Sequence, residues 1–330
     1  MIVFGCNDVG PAKYLVELAK VFSQSSFCLA GELNKNIFER ENLKVISNIS
    51  ELEQIKLVVT GTSAGDLEKS LDKKLLVWSK EHNIPSIAIV EHWTWAKQRF
   101  AYNLDDYLYP DYVVVNDLYA LEDAEKYGVP KKIIYPLGNP YLEKLSNNKY
   151  SKKSGEKLKL KYNLPKSKRL IFFISEQIQR SLLDGTSDQE GYDEFIVLSD
   201  LLSCISKKDH LVIKIHPEES ISKYKFLSRD DVTILRNCSV EEIATLADTI
   251  VGMSSMLLIE LATFRQDIIS YRPNNKNEFI GNKMKVTLAA NTFRDLDKKI
   301  KIKENAEKTL KNYFEGSTER LTKFMLDVSL

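Results

Sequence analysis

The sequence predicts an α/β protein of two doubly wound, Rossmann-like domains with a cleft between them. Three observations carry this reading. The chain has 330 residues, more than one hydrophobic core usually serves at roughly 100 to 200 residues per domain. Short apolar runs alternate with longer amphipathic segments, which implies right-handed βαβ crossovers and a mainly parallel sheet covered on both faces. The alternation breaks off at a Lys- and Ser-rich stretch and then starts again.

In the first series, strands are expected at residues 2–4, 27–30, 57–60, 86–90, 112–115 and 133–136, with helices at 11–22, 64–82 and 118–127. In the second, strands are expected at 170–174, 211–215, 232–235, 250–251 and 268–271, with helices at 192–206, 240–247 and 255–264. The stretch between them, 149–168, has Glu156 as its only acid and reads as a solvated linker. Contact with anionic lipid or glycan is its other reading. The expected domains are therefore 1–146, a linker at 147–168, 169–303, and a helical segment at 304–330 packing back on the first domain. No repeat of short period is seen.

Composition removes several function classes. Hydrophobic residues make up 43% and charged residues 28%, which suits packed cores rather than disorder. Lys plus Arg number 47 against 46 Asp plus Glu, so no global field draws the chain to nucleic acid. Cys6, Cys28, Cys204 and Cys238 form no CxxC pair and read as reduced and structural. The amino terminus lacks the features of a signal peptide, and no run approaches the roughly 18 apolar residues of a membrane span. Cytoplasmic residence is expected, with peripheral contact at the inner face of the membrane left open. The four His are dispersed, with no HxxxH and no suitably placed carboxylate pair. Metal-independent chemistry without a cofactor is expected, with helix ends and basic groups standing where a cation would.

Ligands of such sheets lie beyond the carboxyl ends of the strands, and the candidate residues fall there. LVIKI runs into His216 and Pro217, where proline stops a central strand and His can donate near neutral pH; a strand-end backbone cap is the alternative. Ser175 and Glu176 follow the strand at 170–174. Gly252-Met253-Ser254-Ser255 opens an apolar helix whose free N–H groups and hydroxyls form a phosphate cradle, unless Ser merely caps it. Glu260, inside MLLIELATF, needs a partner if buried, and a ribose diol would be one; a helix-surface Glu or a salt bridge is the alternative. In the first half, the loop after 86–90 packs Glu91, His92, Trp93, Thr94, Trp95 and Arg99 into ten residues. Aromatic faces stack on sugar rings and an acceptor hydroxyl needs a base: Glu91 first, His92 second; a buried aromatic latch with salt-bridged rims is the alternative. Asn7 and Gly10, and Gly61 and Thr62, are strand-to-helix turns that line the site.

IKIHPEE followed by VGMSSMLLIELATF resembles the HP and SS/ST motifs of bacterial sialyl- and polysialyltransferases. It is similar to the same region of Kdo transferases and CDP-glycerol polymerases, nucleotide-dependent transferases of GT-B architecture. The resemblance covers mainly residues 170–275. It implies that His216 bonds the donor phosphate and assists departure of the nucleotide, that Ser254 and Ser255 hold that phosphate, and that Glu260 grips ribose. The D/E-D/E-G motif of the sialyltransferases is absent, since Asp105-Asp106 is followed by Tyr107. The implied function is transfer of a CMP-linked acidic sugar, a nonulosonic acid or Kdo, to a cell-surface glycan or glycolipid. Two alternatives share the architecture. UDP-N-acetylglucosamine 2-epimerases also carry a His-Pro and a serine turn, usually with Gly-Gly after the serine and paired glutamates, where this chain has Ser-Met and Glu260 alone. CDP-glycerol or ribitol-phosphate transferases are often longer and more basic.

Overall fold

In a computed structural model of the chain, residues 1–31, 34–63, 66–102, 106–148, 155–179, 191–227, 229–274 and 277–330 are described. Runs such as Ile2–Cys6 and Ser86–Val90 are buried along their whole length, as parallel strands covered by helices on both faces require. The chain divides into two units, Met1–Lys144 with Phe314–Leu330, and Leu145–Tyr313.

The first unit holds β1 (Ile2–Cys6), β2 (Ser26–Ala30), β3 (Leu57–Thr60), β4 (Ser86–Val90), β5 (Tyr112–Val115) and β6 (Ile134–Pro136). All pair parallel, in the order β2-β1-β3-β4-β5-β6. Helices α1 (Val9–Val21), α2 (Lys35–Glu39), α3 (Leu71–Glu81), α4 (Ala96–Arg99) and α5 (Leu118–Lys126) connect them, and α6 (Pro140–Asn147) leads out. Strand order reverses between β1 and β3, so the ligand crevice of this sheet type lies outside those two carboxyl ends.

The second unit contains α7 (Gly155–Lys161), β7 (Arg169–Ile174), α8 (Glu194–Cys204), β8 (Asp209–Lys214), β9 (Val232–Leu235), α9 (Val240–Leu246), β10 (Thr249–Gly252), α10 (Met256–Leu261), β11 (Ile268–Tyr271), α11 (Ile280–Lys283), β12 (Leu288–Ala290) and α12 (Phe293–Lys301). Its parallel order is β12-β11-β10-β7-β8-β9. The reversal here falls between β7 and β10. The chain then returns to the first unit as α13 (Ser317–Val328).

That return is held by packing and by caps. Leu321 and Met325 enter the core formed by Phe4, Leu15, Leu57, Ile87 and Val114. Burying each such side chain is worth about 1.5–3 kcal/mol. Phe324 meets the Tyr112 ring edge-on at 5.3 Å. Glu143 caps α13, its carboxylate accepting from the N–H of Gly316 (2.6 Å) and from the N–H (2.8 Å) and hydroxyl (2.6 Å) of Thr318. Gly138 has φ +109°, and a Cβ there would stand 2.1 Å from the Ser317 hydroxyl oxygen, so only glycine fits this crossing.

Several expected boundaries move. The helix expected at 64–82 starts at Leu71 because Ser70 caps it, accepting the Lys73 N–H at 3.2 Å; residues 64–65 lie outside the described ones. The expected linker contains α7, anchored within the second unit where Lys161 and the Tyr162 hydroxyl bind Glu242, each at 2.6 Å; residues 149–154 are not described. The expected helical tail is helical only over α13. Its first residues belong to the second unit, with the Ala306 N–H on the Gln266 carbonyl (2.7 Å) and the Leu310 N–H on that of Ala262 (3.2 Å). Among the described residues no helix is long and apolar enough to cross a membrane.

Candidate functional site

At the carboxyl edge of the second sheet, β10, β7 and β8 end side by side. Register pairs Val251 with Phe173 and Ile174 with Lys214, and neighbouring strands lie about 4.8 Å apart. Ser175 and Glu176, His216 and Pro217, and Ser254 and Ser255 thus leave one edge, as the sequence expects. What they do there is less uniform.

The cradle at the β10 end already holds an anion, and it is the protein's own. One oxygen of Glu176 accepts the N–H groups of Met253 (3.2 Å), Ser254 (2.7 Å) and Ser255 (2.9 Å), and the other accepts the Ser254 hydroxyl (2.8 Å). Burial raises this carboxyl above its usual range, and the four hydrogen bonds offset only part of the rise. Glu176 therefore closes the switch point between β7 and β10. Ser255 follows the capping alternative, its hydroxyl accepting the Leu257 N–H at 3.2 Å. Gly252 is needed for packing rather than for a turn: a Cβ there would lie 2.8 Å from Leu258 and 3.2 Å from Ile174. Ser175 is buried, with its hydroxyl bound to Glu219 (3.0 Å) and Tyr224 (2.5 Å), so it serves the scaffold and not a ligand. Glu260 is half-buried on α10 and Pro217 is exposed.

His216 is half-buried at the β8 end. Its Nδ1 accepts the Glu218 N–H at 3.3 Å, and its own backbone N–H donates to Glu219 at 2.7 Å. Burial is the main cause that lowers its pKa. Sequence reading missed Glu219, Lys223, Glu194 and Arg236, which build the floor beneath this loop. Lys223 bridges the buried carboxylates of Glu194 and Glu219, and Arg236 donates to the carbonyls of Pro217 (2.7 Å) and Glu219.

In the first unit, Glu91 and Arg99 form a long ion pair of 3.6 Å. Arg99 also donates to the Thr62 carbonyl at 3.1 Å. Glu91 Oε2 and Arg99 Nε are buried without a hydrogen-bond partner, and a buried charged group left unsatisfied costs more than the about 1–3 kcal/mol of a neutral one. Burial raises the Glu91 pKa, Arg99 opposes the rise, and Asp8 adds to it. His92 is pushed down to about 3 by burial and by Arg99, too weak for a base, which leaves Glu91. Gly10 lies against that acid; a Cβ at 10 would be 3.0 Å from Glu91 Oε1. Asn116 fixes the loop by donating to the Glu91 carbonyl at 2.7 Å.

Trp93 corrects an expectation. It is 2% exposed, and its indole N–H is shared between both carboxylate oxygens of Asp117 at 2.9 Å each, so it is a core latch and not a sugar platform. The exposed indole is Trp95, at 49% with φ +66°. Thr62 spends its hydroxyl on the Ile89 carbonyl at 3.2 Å. Asn7 and Gly61 lean on a residue that sequence reading passed over. The buried Asp72 accepts the Asn7 N–H at 3.3 Å and stands 3.0 Å from where a Cβ of residue 61 would be. Burial pushes Asp72 up to about 7, Asp8 adds to the rise, and Oδ1 has no partner. The only sequence signal was its place two residues after a capping serine. Asp105 lies outside the described residues.

No family model and no curated protein matches the sequence. Solved structures do resemble the fold. A UDP-GlcNAc 2-epimerase from Neisseria meningitidis bound to UDP-GlcNAc has TM-score 0.70 at 11% identity, covering 99% of each chain. The UDP-GlcNAc 2-epimerase from Methanocaldococcus jannaschii has TM-score 0.65 at 14% identity, again covering 99% of each chain. The wall teichoic acid polymerase TagF has TM-score 0.54 at 13% identity, covering 99% of this chain and 89% of that one. At such identities the likeness shows the fold, the two-domain GT-B type.

Proposed function

We propose that this protein is an enzyme acting on a nucleotide-linked sugar, and that epimerisation of UDP-N-acetylglucosamine is the activity its site fits first. The supporting observation is full-length likeness to several UDP-GlcNAc 2-epimerases in a chain that carries, at a strand end, an acid with one carboxylate oxygen buried without a hydrogen-bond partner. Inverting a carbon that bears hydrogen needs a group to take a proton and a group to return one. Glu91, with its raised pKa and free Oε2, is suited to that exchange. In the second unit, His216 offers a ring N–H to a phosphate oxygen, and the turn at Ser254 offers backbone N–H groups. Glu176 must yield those groups, so it competes with the phosphate. Glu176→Gln is expected to bind UDP about tenfold more tightly, a change of about 1.4 kcal/mol. Unchanged affinity by calorimetry would send the phosphate elsewhere. No step is assigned to a metal, and turnover is expected to survive EDTA.

A second reading is favoured by the residues around α10, where Ser255 is followed by Met256 and the helix has one glutamate, Glu260, rather than a pair. Here the enzyme transfers the sugar, from a CMP-linked acidic sugar or a CDP-linked polyol, to a glycan or glycolipid hydroxyl. Glu91 takes the hydroxyl proton, and the unpartnered Nε–H of Arg99 steadies the oxygen. Incubation with UDP-N-acetylglucosamine alone, followed by proton NMR for the C2 epimer, separates the two, because transfer needs an acceptor. A thermal-shift panel of CMP, CDP, UDP and GDP identifies the base, since a ligand bound only by the native state raises its stability. Failure of all four nucleotides to stabilise the protein would sink both readings.

A further inference from the structure

We infer that Glu219 is the positioning residue for His216, locking its imidazole as a neutral ring whose Nε2–H alone faces a ligand at the β8 end. This rests on the reading that His216 meets the nucleotide phosphate, and it specifies what the ring can do there.

The argument runs from the backbone outward. Residues 216–219 close a turn, with the Glu219 N–H on the His216 carbonyl at 3.0 Å. The Glu219 side chain folds back and accepts the His216 N–H at 2.7 Å. Its other oxygen accepts the Ser175 hydroxyl at 3.0 Å and the Lys223 ammonium. One buried carboxylate thus ties the loop after β8 to the loop after β7. Lys223 extends the tie to Glu194, whose second oxygen accepts the Gln179 N–H at 2.9 Å. Arg236 grips the same turn from outside through the carbonyls of Pro217 and Glu219. A loop restrained at so many points has one geometry, and in it the Glu218 N–H points at His216 Nδ1, 3.3 Å away. A backbone N–H can only donate, so Nδ1 must be the unprotonated nitrogen, and the ring proton sits on Nε2. Protonating Nδ1 would set two N–H groups against each other.

The consequence is chemical. His216 donates a hydrogen bond without delivering a proton, and the atom it meets must be an acceptor, such as a phosphate oxygen. A departing nucleotide then leaves as the anion, stabilised by a neutral donor.

Histidine 15N NMR of the whole protein near pH 7.5 reads this directly, with the signals of His216 assigned by loss in His216→Gln. The expected wild-type pattern is the Nε2–H tautomer. In Glu219→Ala the ring is expected to populate both tautomers while His82, His92 and His210 keep their signals. Glu219→Gln, which retains an acceptor for the His216 N–H, is expected to restore the wild-type pattern. UDP affinity by calorimetry should fall at least about tenfold in the alanine variant and recover in the glutamine variant. An Nδ1–H tautomer in the wild type, which needs no variant to fold, overturns the inference. So does an unchanged His216 signal in Glu219→Ala. Because the tautomer is read without nucleotide, a protein that shows it but binds no UDP counts against the proposed function and not against the role of Glu219.

Discussion

Asp72 shows how much a single environment can do. Its pKa is pushed up to about 7 from 3.8, so the folded state binds more protons than the unfolded chain between those values. The stability it contributes is full below pH 3.8 and is lost as pH rises through about 7. His92 acts in the opposite sense, pushed down to about 3 from 6.5: what it contributes is present above pH 6.5 and is lost as pH falls toward 3. Asp72→Asn, neutral at every pH, should therefore raise Tm at pH 8 and lose that advantage by pH 4. A Tm difference independent of pH would mean that the carboxyl is not held protonated. At this scale the sequence is legible where chemistry is local. His216 could be placed at a strand end because a strand runs straight into His-Pro, and Glu91 because it follows one. Glu219 and Asp72 could not, since their meaning lies in partners such as Ser175 and Asn7, distant along the chain. For Trp93 the latch, and not the sugar platform, is what the structure has, and the two stayed open because an indole looks the same in sequence whether it is latched to Asp117 or exposed.

Elements were legible in proportion to their burial. The strands are short apolar runs bounded by turn residues, and β3, β4, β5, β9 and β11 occupy the residues expected of them. Helices α2, α4 and α11, of four or five residues, are too short to show a helical period. The polar α7 exposes most of its surface and so reads as linker. Element ends were set by contacts that no local pattern carries, and α13 is the clearest case. Its cap is Glu143, more than 170 residues earlier. Glu143→Ala should cost about 1–2 kcal/mol, the usual worth of a lost cap, in the denaturant midpoint, with fraying of the first turn seen by hydrogen exchange. Unchanged protection at Thr318 would show that core packing alone holds the helix.

On the scale of the whole molecule, one pattern that stops and starts again announced two sheets, and two sheets are found. The first unit is built from both ends of the chain, with the second unit inserted between them. Deleting residues 314–330 should expose the first core, because Leu321 and Met325 leave it, while Leu198, Ile213 and Tyr271 keep theirs. Limited proteolysis should then cut first within 1–144, and equal resistance of the two units would contradict this. The insertion also sets an order of events on the ribosome. Chains emerge from the amino end and their domains generally fold as units, yet here residues 1–144 wait for residues 314–330, so the later domain can mature while the earlier one is still incomplete.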